Sequence, residues 1–183
     1  MEVKSGNIAP GVLFRSKSPL YGGDEKKTIA SLAIKAGIKC IINLTDNNYS
    51  IHALSKEVPW YHELVLQGNV ICLHMTFLIP GVRSNEKKLR AALQFLSLHE
   101  GPYLIHCFAG VDRTGFVIAL LEALMGADLK GICKNYLAAY FFDDSASSRI
   151  HKNGKLKGFM NQIKTMCRGA NLTKIDIQKA AEE

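Results

Sequence analysis

A chain of 183 residues, 48% of them hydrophobic and with a formal net charge of +7, is long enough for one domain with a sizeable core. No apolar run reaches transmembrane length, and the first six residues lack the charged-then-apolar pattern of a signal peptide. The five cysteines (Cys40, Cys72, Cys107, Cys133, Cys167) show neither C-x-x-C pairing nor metal-ligand spacing with the histidines, which argues against a disulfide or zinc framework. Their odd number and scatter suit a reducing, cytoplasmic setting, although export without a cleaved signal leaves no trace in a sequence.

Residues 1–23 are turn-rich. Within them 7–16 read as a turn feeding a short strand, which Pro19 and Gly22-Gly23 break, and Arg15 reads as a surface strand position. Asp24 is placed to cap a helix over about 25–35, with a stripe of Ile29, Leu32, Ala33 and Ala36 and a stop at Gly37. The β-branched run 38–44 predicts a central strand, and 49–57 a short helix ended by Pro59. After a turn at Gly68-Asn69, residues 70–77 predict a buried strand and 78–83 a loop broken by Pro80-Gly81. Ser84 caps the next helix, whose core stripe is Leu89, Ala92, Leu93 and Leu96.

Residues 101–105 predict another buried strand and 116–125 a buried helix. A further helix comes after Gly126, lined by Ile132, Tyr136, Leu137 and Tyr140, and ends at 141–145. Leu156, Phe159, Met160 and Ile163 mark a final amphipathic helix among Lys155, Lys157 and Lys164. From residue 145 onward eight Lys/Arg and three acids give +5, so the positive field is concentrated in the tail and favours anionic partners. There is no internal repeat or linker. The expectation is one α/β domain over 1–183, with a central, mostly parallel sheet of about four to five strands flanked by helices. Its parts are an N-terminal segment at 1–23, the strand, loop and helix at 101–126, and a basic helix and tail at 149–183.

The stretch His106-Cys107-Phe108-Ala109-Gly110-Val111-Asp112-Arg113-Thr114-Gly115 stands at the junction of that strand and helix. A strand, a tight loop and a helix N-terminus gather unpaired amides and the positive end of the helix dipole, so the junction suits an anion. That field favours the thiolate of a cysteine at the loop head, Cys107. Arg113 offers a planar fork to two phosphate oxygens. A purely structural reading leaves unexplained why the charged pair Asp112-Arg113 sits at a buried strand–helix junction.

This pattern resembles the active-site signature of the cysteine-based phosphatases, which include tyrosine, dual-specificity and some phosphoinositide phosphatases. Arg15-Ser16-x-x-Pro19 and the run from helix through Gly37-Ile38 to strand resemble the first half of the same fold. The resemblance implies hydrolysis of phosphomonoesters through a phosphocysteine, with Cys107 as nucleophile and no metal or other cofactor. The amides of Phe108, Ala109, Gly110, Val111, Asp112 and Arg113 would cradle phosphate or another oxyanion, and Gly110 would permit the sharp turn. Arg113 would clamp the transferring oxygens. Thr114 would offer its hydroxyl to the thiolate, and His106 would orient the loop in a supporting role.

The general acid departs from the usual pattern. Dual-specificity relatives carry an Asp on a separate loop before the cysteine, and the corresponding stretch here, 74–81, has no carboxylate. The residues available are Asp112, Glu86, Asp46, His74 and the pair Asp143-Asp144. Asp112 is preferred: it lies inside the signature, and a nearby dianionic phosphate disfavours its ionised form, as an acid requires. Its alternative role is a salt bridge or hydrogen bond that rigidifies the loop. Glu86, at a helix start, is the second choice.

An Asp before the Arg also resembles a bacterial tyrosine and lipid phosphatase subgroup, but Val111 stands where that subgroup has Lys. The expected function is a protein tyrosine or dual-specificity phosphatase. One alternative is a phosphoinositide phosphatase; another is a pseudophosphatase that binds phosphate without turnover. Expected partners are a phosphorylated protein or phosphoinositide, with weak anionic membrane contact through the basic C-terminal helix. No aromatic–basic pattern points to nucleic acid.

Overall fold

A computed structural model describes residues 1–76 and 83–139, apart from the side chains of Arg83 and Ser84. The predicted loop 78–83 lies almost wholly outside the described residues, as do Tyr140, Asp143, Asp144 and the basic C-terminal segment.

Four strands form one parallel sheet: β1 (Leu13–Lys17), β2 (Cys40–Asn43), β3 (Val70–Cys72) and β4 (Tyr103–Cys107), in the order β1-β4-β2-β3. Among the described residues six α-helices accompany them: α1 (Asp24–Lys35), α2 (Ile51–Leu54), α3 (Pro59–Leu66), α4 (Arg83–Leu98), α5 (Asp112–Leu124) and α6 (Leu129–Ala138), with a 3₁₀ turn at Ser55–Glu57. β4 is flanked on both edges and covered on both faces, so Leu104, Ile105, His106 and Cys107 are all buried. Side chains alternate across a strand. Ile105 and Cys107 therefore join the larger core, with Ile42, Leu44, Phe116, Val117 and Ile118. Leu104 joins the smaller one, with Ile41, Tyr61 and Leu64. The strand order reverses around β4, which puts the crevice for a ligand at its carboxyl end, where Cys107 sits.

Several elements differ from the sequence-based expectations. Gly23 takes the N-cap of α1, and Asp24 is its first helical residue, where an acid suits the dipole. Only Ala33 of the α1 stripe is buried, and Leu32 is 62% exposed. The stripe lines a cavity of about 310 Å³ instead of a packed interface. The short helix expected at 49–57 is α2 continued by a 3₁₀ turn over Ser55–Glu57, which stops before Pro59. Pro59 also opens α3, where at the first helical position it forfeits no hydrogen bond and its fixed φ suits the turn. β3 is shorter than 70–77, because His74 adopts φ 40° just beyond it and breaks the extended geometry. α4 starts at Arg83, one residue before the predicted cap Ser84, and Phe95 joins Ala92 in its buried face. Asp128 caps α6, its carboxylate accepting from the Gly131 amide at 2.6 Å.

Candidate active site

The loop between β4 and α5 is built from the backbone outward. Gly110 adopts φ 74°, and a Cβ there would lie 2.5 Å from the backbone of Ser16 and Lys17. Glycine thus satisfies both the left-handed turn and the close approach of β1. The turn brings the Gly110 amide to within 3.2 Å of Cys107 Sγ, to which it donates. α5 begins at Asp112, so Asp112 and Arg113 occupy its first turn, where the helix dipole is positive. Cys107 is buried, and the described cysteines (Cys40, Cys72, Cys107, Cys133) are all free thiols.

Arg113 Nη1 donates to the carbonyls of Leu44, at 3.2 Å, and Met75, at 3.0 Å, beyond the ends of β2 and β3. These two contacts hold the guanidinium against the segments that follow β2 and β3. Thr114 is fully buried, and its hydroxyl has no hydrogen-bond partner among the described residues. The donor on the sulfur in this structure is the Gly110 amide. Asp112 is half-buried, and Glu86 is exposed in the first turn of α4.

Arg15 departs most from its expected place. It is a buried residue of β1, only 3% exposed, not a surface position. Leu13 and Arg15 share the face of β1 that meets α5, because alternate strand positions point the same way. Nη2 donates to the carbonyls of Gly110, at 2.8 Å, and Val111, at 3.2 Å, tying the loop to the sheet from behind. A Cβ on Gly115 would approach this guanidinium at 3.3 Å and the Tyr136 ring at 2.7 Å, so the glycine gives both groups room.

His106 is fully buried and part of a polar network that the sequence reading missed. Asn43 Nδ2 donates to Asp46 Oδ2, at 2.9 Å, and to Tyr61 Oη, at 3.1 Å. Asn43 Oδ1 accepts from the amides of Thr45, at 2.9 Å, and Asp46, at 3.0 Å, so the amide side chain is saturated. Since Tyr61 Oη accepts from Asn43, its proton goes to His106 Nε2, 2.9 Å away. The imidazole is then neutral with its proton on Nδ1, and burial lowers it to about 4. Its Nε2 lone pair is committed to Tyr61, which fits a positioning role and not a base. Asp46 is also occupied: its other oxygen accepts from the Tyr21 hydroxyl at 2.5 Å. His74 is turned to the Thr45 carbonyl at 3.0 Å. The one signal for this network was a polar residue, Asn43, closing an otherwise apolar strand.

Glu122 is a second missed residue, hidden in an apolar helix run and fully buried. Burial raises its carboxyl to about 7, against the opposing effects of a hydrogen bond from Asn135 and the Arg15 charge. The native state therefore keeps this proton to higher pH than the unfolded chain does. Stability falls as pH climbs from the ordinary carboxylate range to about 7 and is level above it. Thermal melts across that interval are expected to show this fall in the wild type and its loss in Glu122→Gln. Identical pH profiles would contradict the buried, proton-holding carboxyl.

Among the described residues no helix is long and apolar enough to cross a membrane, and no group of three or more His, Cys, Asp and Glu could hold a metal ion. Comparison with known proteins finds a match to the tyrosine phosphatase family over residues 2–173. The triple specificity protein phosphatase PtpB of Mycobacterium tuberculosis is 56% identical over 36 residues, a stretch that covers 20% of this chain and only 13% of that relative. The fold is similar to that of P. aeruginosa TpbA, with a TM-score of 0.53 at 17% identity, over 94% of this chain and 88% of that one. It is also similar to the core catalytic domain of the PP-IP phosphatase SIW14 from S. cerevisiae, with a TM-score of 0.51 at 21% identity, over 93% and 98% of the two chains.

Proposed function

The chain belongs to the tyrosine phosphatase family, and we propose that it hydrolyses phosphomonoesters through a phosphocysteine, acting as a protein tyrosine or dual-specificity phosphatase. The observation that carries this reading is the sulfur of Cys107 at the carboxyl end of a buried strand, facing a loop amide at 3.2 Å and the start of α5. A loop amide and a nearby helix N-terminus suit the equatorial oxygens of a transferring phosphoryl group.

The reaction then runs in two steps. Cys107 Sγ attacks phosphorus and the bond to the leaving oxygen breaks, while Asp112 gives that oxygen its proton. Arg113, tethered through Nη1, offers its remaining N–H groups to two phosphoryl oxygens. Water next attacks phosphorus and the P–S bond breaks. The Asp112 carboxylate takes the water's proton, and inorganic phosphate leaves with the thiolate restored. His106 and Thr114 support the loop.

A phosphoinositide substrate would carry further phosphates that need cations. Arg113 is the only cationic side chain in 107–114, and Val111 supplies none, so the protein-phosphatase reading is preferred. Turnover of a small aryl phosphate without added metal tests the proposal, with phosphopeptides and phosphoinositides compared in the same release assay. Phosphate release is expected with the aryl ester and phosphopeptides. No release from any substrate would replace the enzyme reading with that of a phosphate-binding module. Asp112→Asn is expected to lower kcat by about 10²-fold or more while tungstate affinity holds. An unchanged rate would remove Asp112 as the acid and move the role to Glu86.

A further inference from the structure

Resting on that reading, we propose that Phe108, braced by Tyr21, is a specificity-determining wall that holds the aromatic ring of the leaving group. Phe108 stands directly after the nucleophile and is 59% exposed, although Arg15 holds the Gly110 and Val111 carbonyls of the same loop. Its backbone is fixed: the Phe108 carbonyl accepts from the Ser18 amide at 3.2 Å. Its ring is braced as well, with the Tyr21 ring centroid 5.4 Å away at an interplanar angle of 48°. This tilted geometry is a favourable one for an aromatic pair.

Tyr21 is in turn held at both ends. Its neighbour Leu20 is buried in the smaller core, and its hydroxyl donates to the buried Asp46. From Asp46 the contacts run through Asn43 and Tyr61 to His106. The chain of contacts thus begins at Phe108 and ends at His106, the two residues on either side of Cys107. A large apolar ring kept exposed but immobile pays its ordering cost in the folded state and gains area when a flat apolar group covers it. An aryl leaving group on a phosphate bound at Cys107 is such a group. The short aliphatic stem of phosphoserine offers little surface to cover the ring.

Binding to Cys107→Ser separates this proposal from the question of turnover. Calorimetric affinities are measured for one peptide carrying phosphotyrosine and for the same peptide carrying phosphoserine, with and without Phe108→Ala. The expected result is a loss of about three- to tenfold for phosphotyrosine and none for phosphoserine. Phe108→Leu, which keeps apolar area but not the ring, is expected to lose less. Tyr21→Phe, which frees the brace from Asp46, is expected to reduce the same preference. Tungstate affinity in each variant reports whether the loop is intact. Equal losses for both peptides with tungstate affinity retained, or no loss for either, would overturn the wall. Absence of turnover in the wild type would instead sink the enzyme reading and leave these affinities to decide the wall by themselves.

Discussion

Replacing Cys107 with serine is expected to cut phosphate release by about 10⁴-fold or more, because a hydroxyl at that point is a far weaker nucleophile than a thiolate and the two-step route closes. Oxyanion affinity is expected to survive. On the proposed reading the anion is bound by the loop amides, the start of α5 and Arg113, and not by the sulfur itself. Rates on a small aryl phosphate and tungstate titration of the same sample check the two halves. A variant that loses both has lost the loop; one that retains turnover has another nucleophile.

The second large effect is expected at Arg15→Met. Methionine keeps much of the volume but removes the donors to the Gly110 and Val111 carbonyls. It also withdraws the positive charge that opposes protonation of the buried Glu122. Breaking a buried charged group's contacts on one side costs about 3 kcal/mol or more. For a chain of this size that lowers Tm by about 6–12 °C. Phosphate release is expected to fall about tenfold or more at a temperature where the variant remains folded, because misplacing a loop by a fraction of an ångström weakens every amide aimed at the phosphate. The double variant Arg15→Met/Glu122→Gln is expected to recover part of the stability and none of the activity. Full recovery of activity would mean that Arg15 acts on the fold alone. Melts and rates on the three variants decide between these outcomes.

The sequence was most readable where local chemistry is self-contained. Hydrophobic runs bounded by glycine and proline disclosed the strands of the sheet and the long helices. The loop from His106 to Gly115 declared itself because strand, glycine turn and helix start are contiguous in the chain. Hidden from it were groups whose meaning lies in partners far away along the chain. Arg15 looked like an exposed strand residue, since nothing nearby in sequence tells that β1 lies beside β4 and faces α5. Asn43, Asp46 and Tyr61 are separated from His106 by dozens of residues and meet it only through the parallel pairing of β2 with β4 and the docking of α3. Glu122 was masked by the apolar residues around it. Pro59 has two roles, closing the helical stretch before it and opening α3, and only the helical run 60–66 on its far side discloses the second.

The absence of an acid before the cysteine, at 74–81, concentrates attention on Asp112. The structure sets it in the first turn of α5 beside Arg113. His106 and Thr114, on either side of the loop, are fully buried. Asp46 is committed to Tyr21 and Asn43. On the proposed reading catalysis rests on a handful of consecutive residues, with Arg15 and the Asn43 network packed behind them.

The covalent step is the centre of that assignment, and rapid quenching of enzyme mixed with an aryl phosphate, coupled to peptide mass analysis, tests it most directly. The account predicts a phosphate adduct on Cys107 during turnover, longer-lived in Asp112→Asn, where water is less readily deprotonated, and missing in Cys107→Ser. Turnover with the adduct on another residue, or with phosphate release persisting in Cys107→Ser, would contradict it.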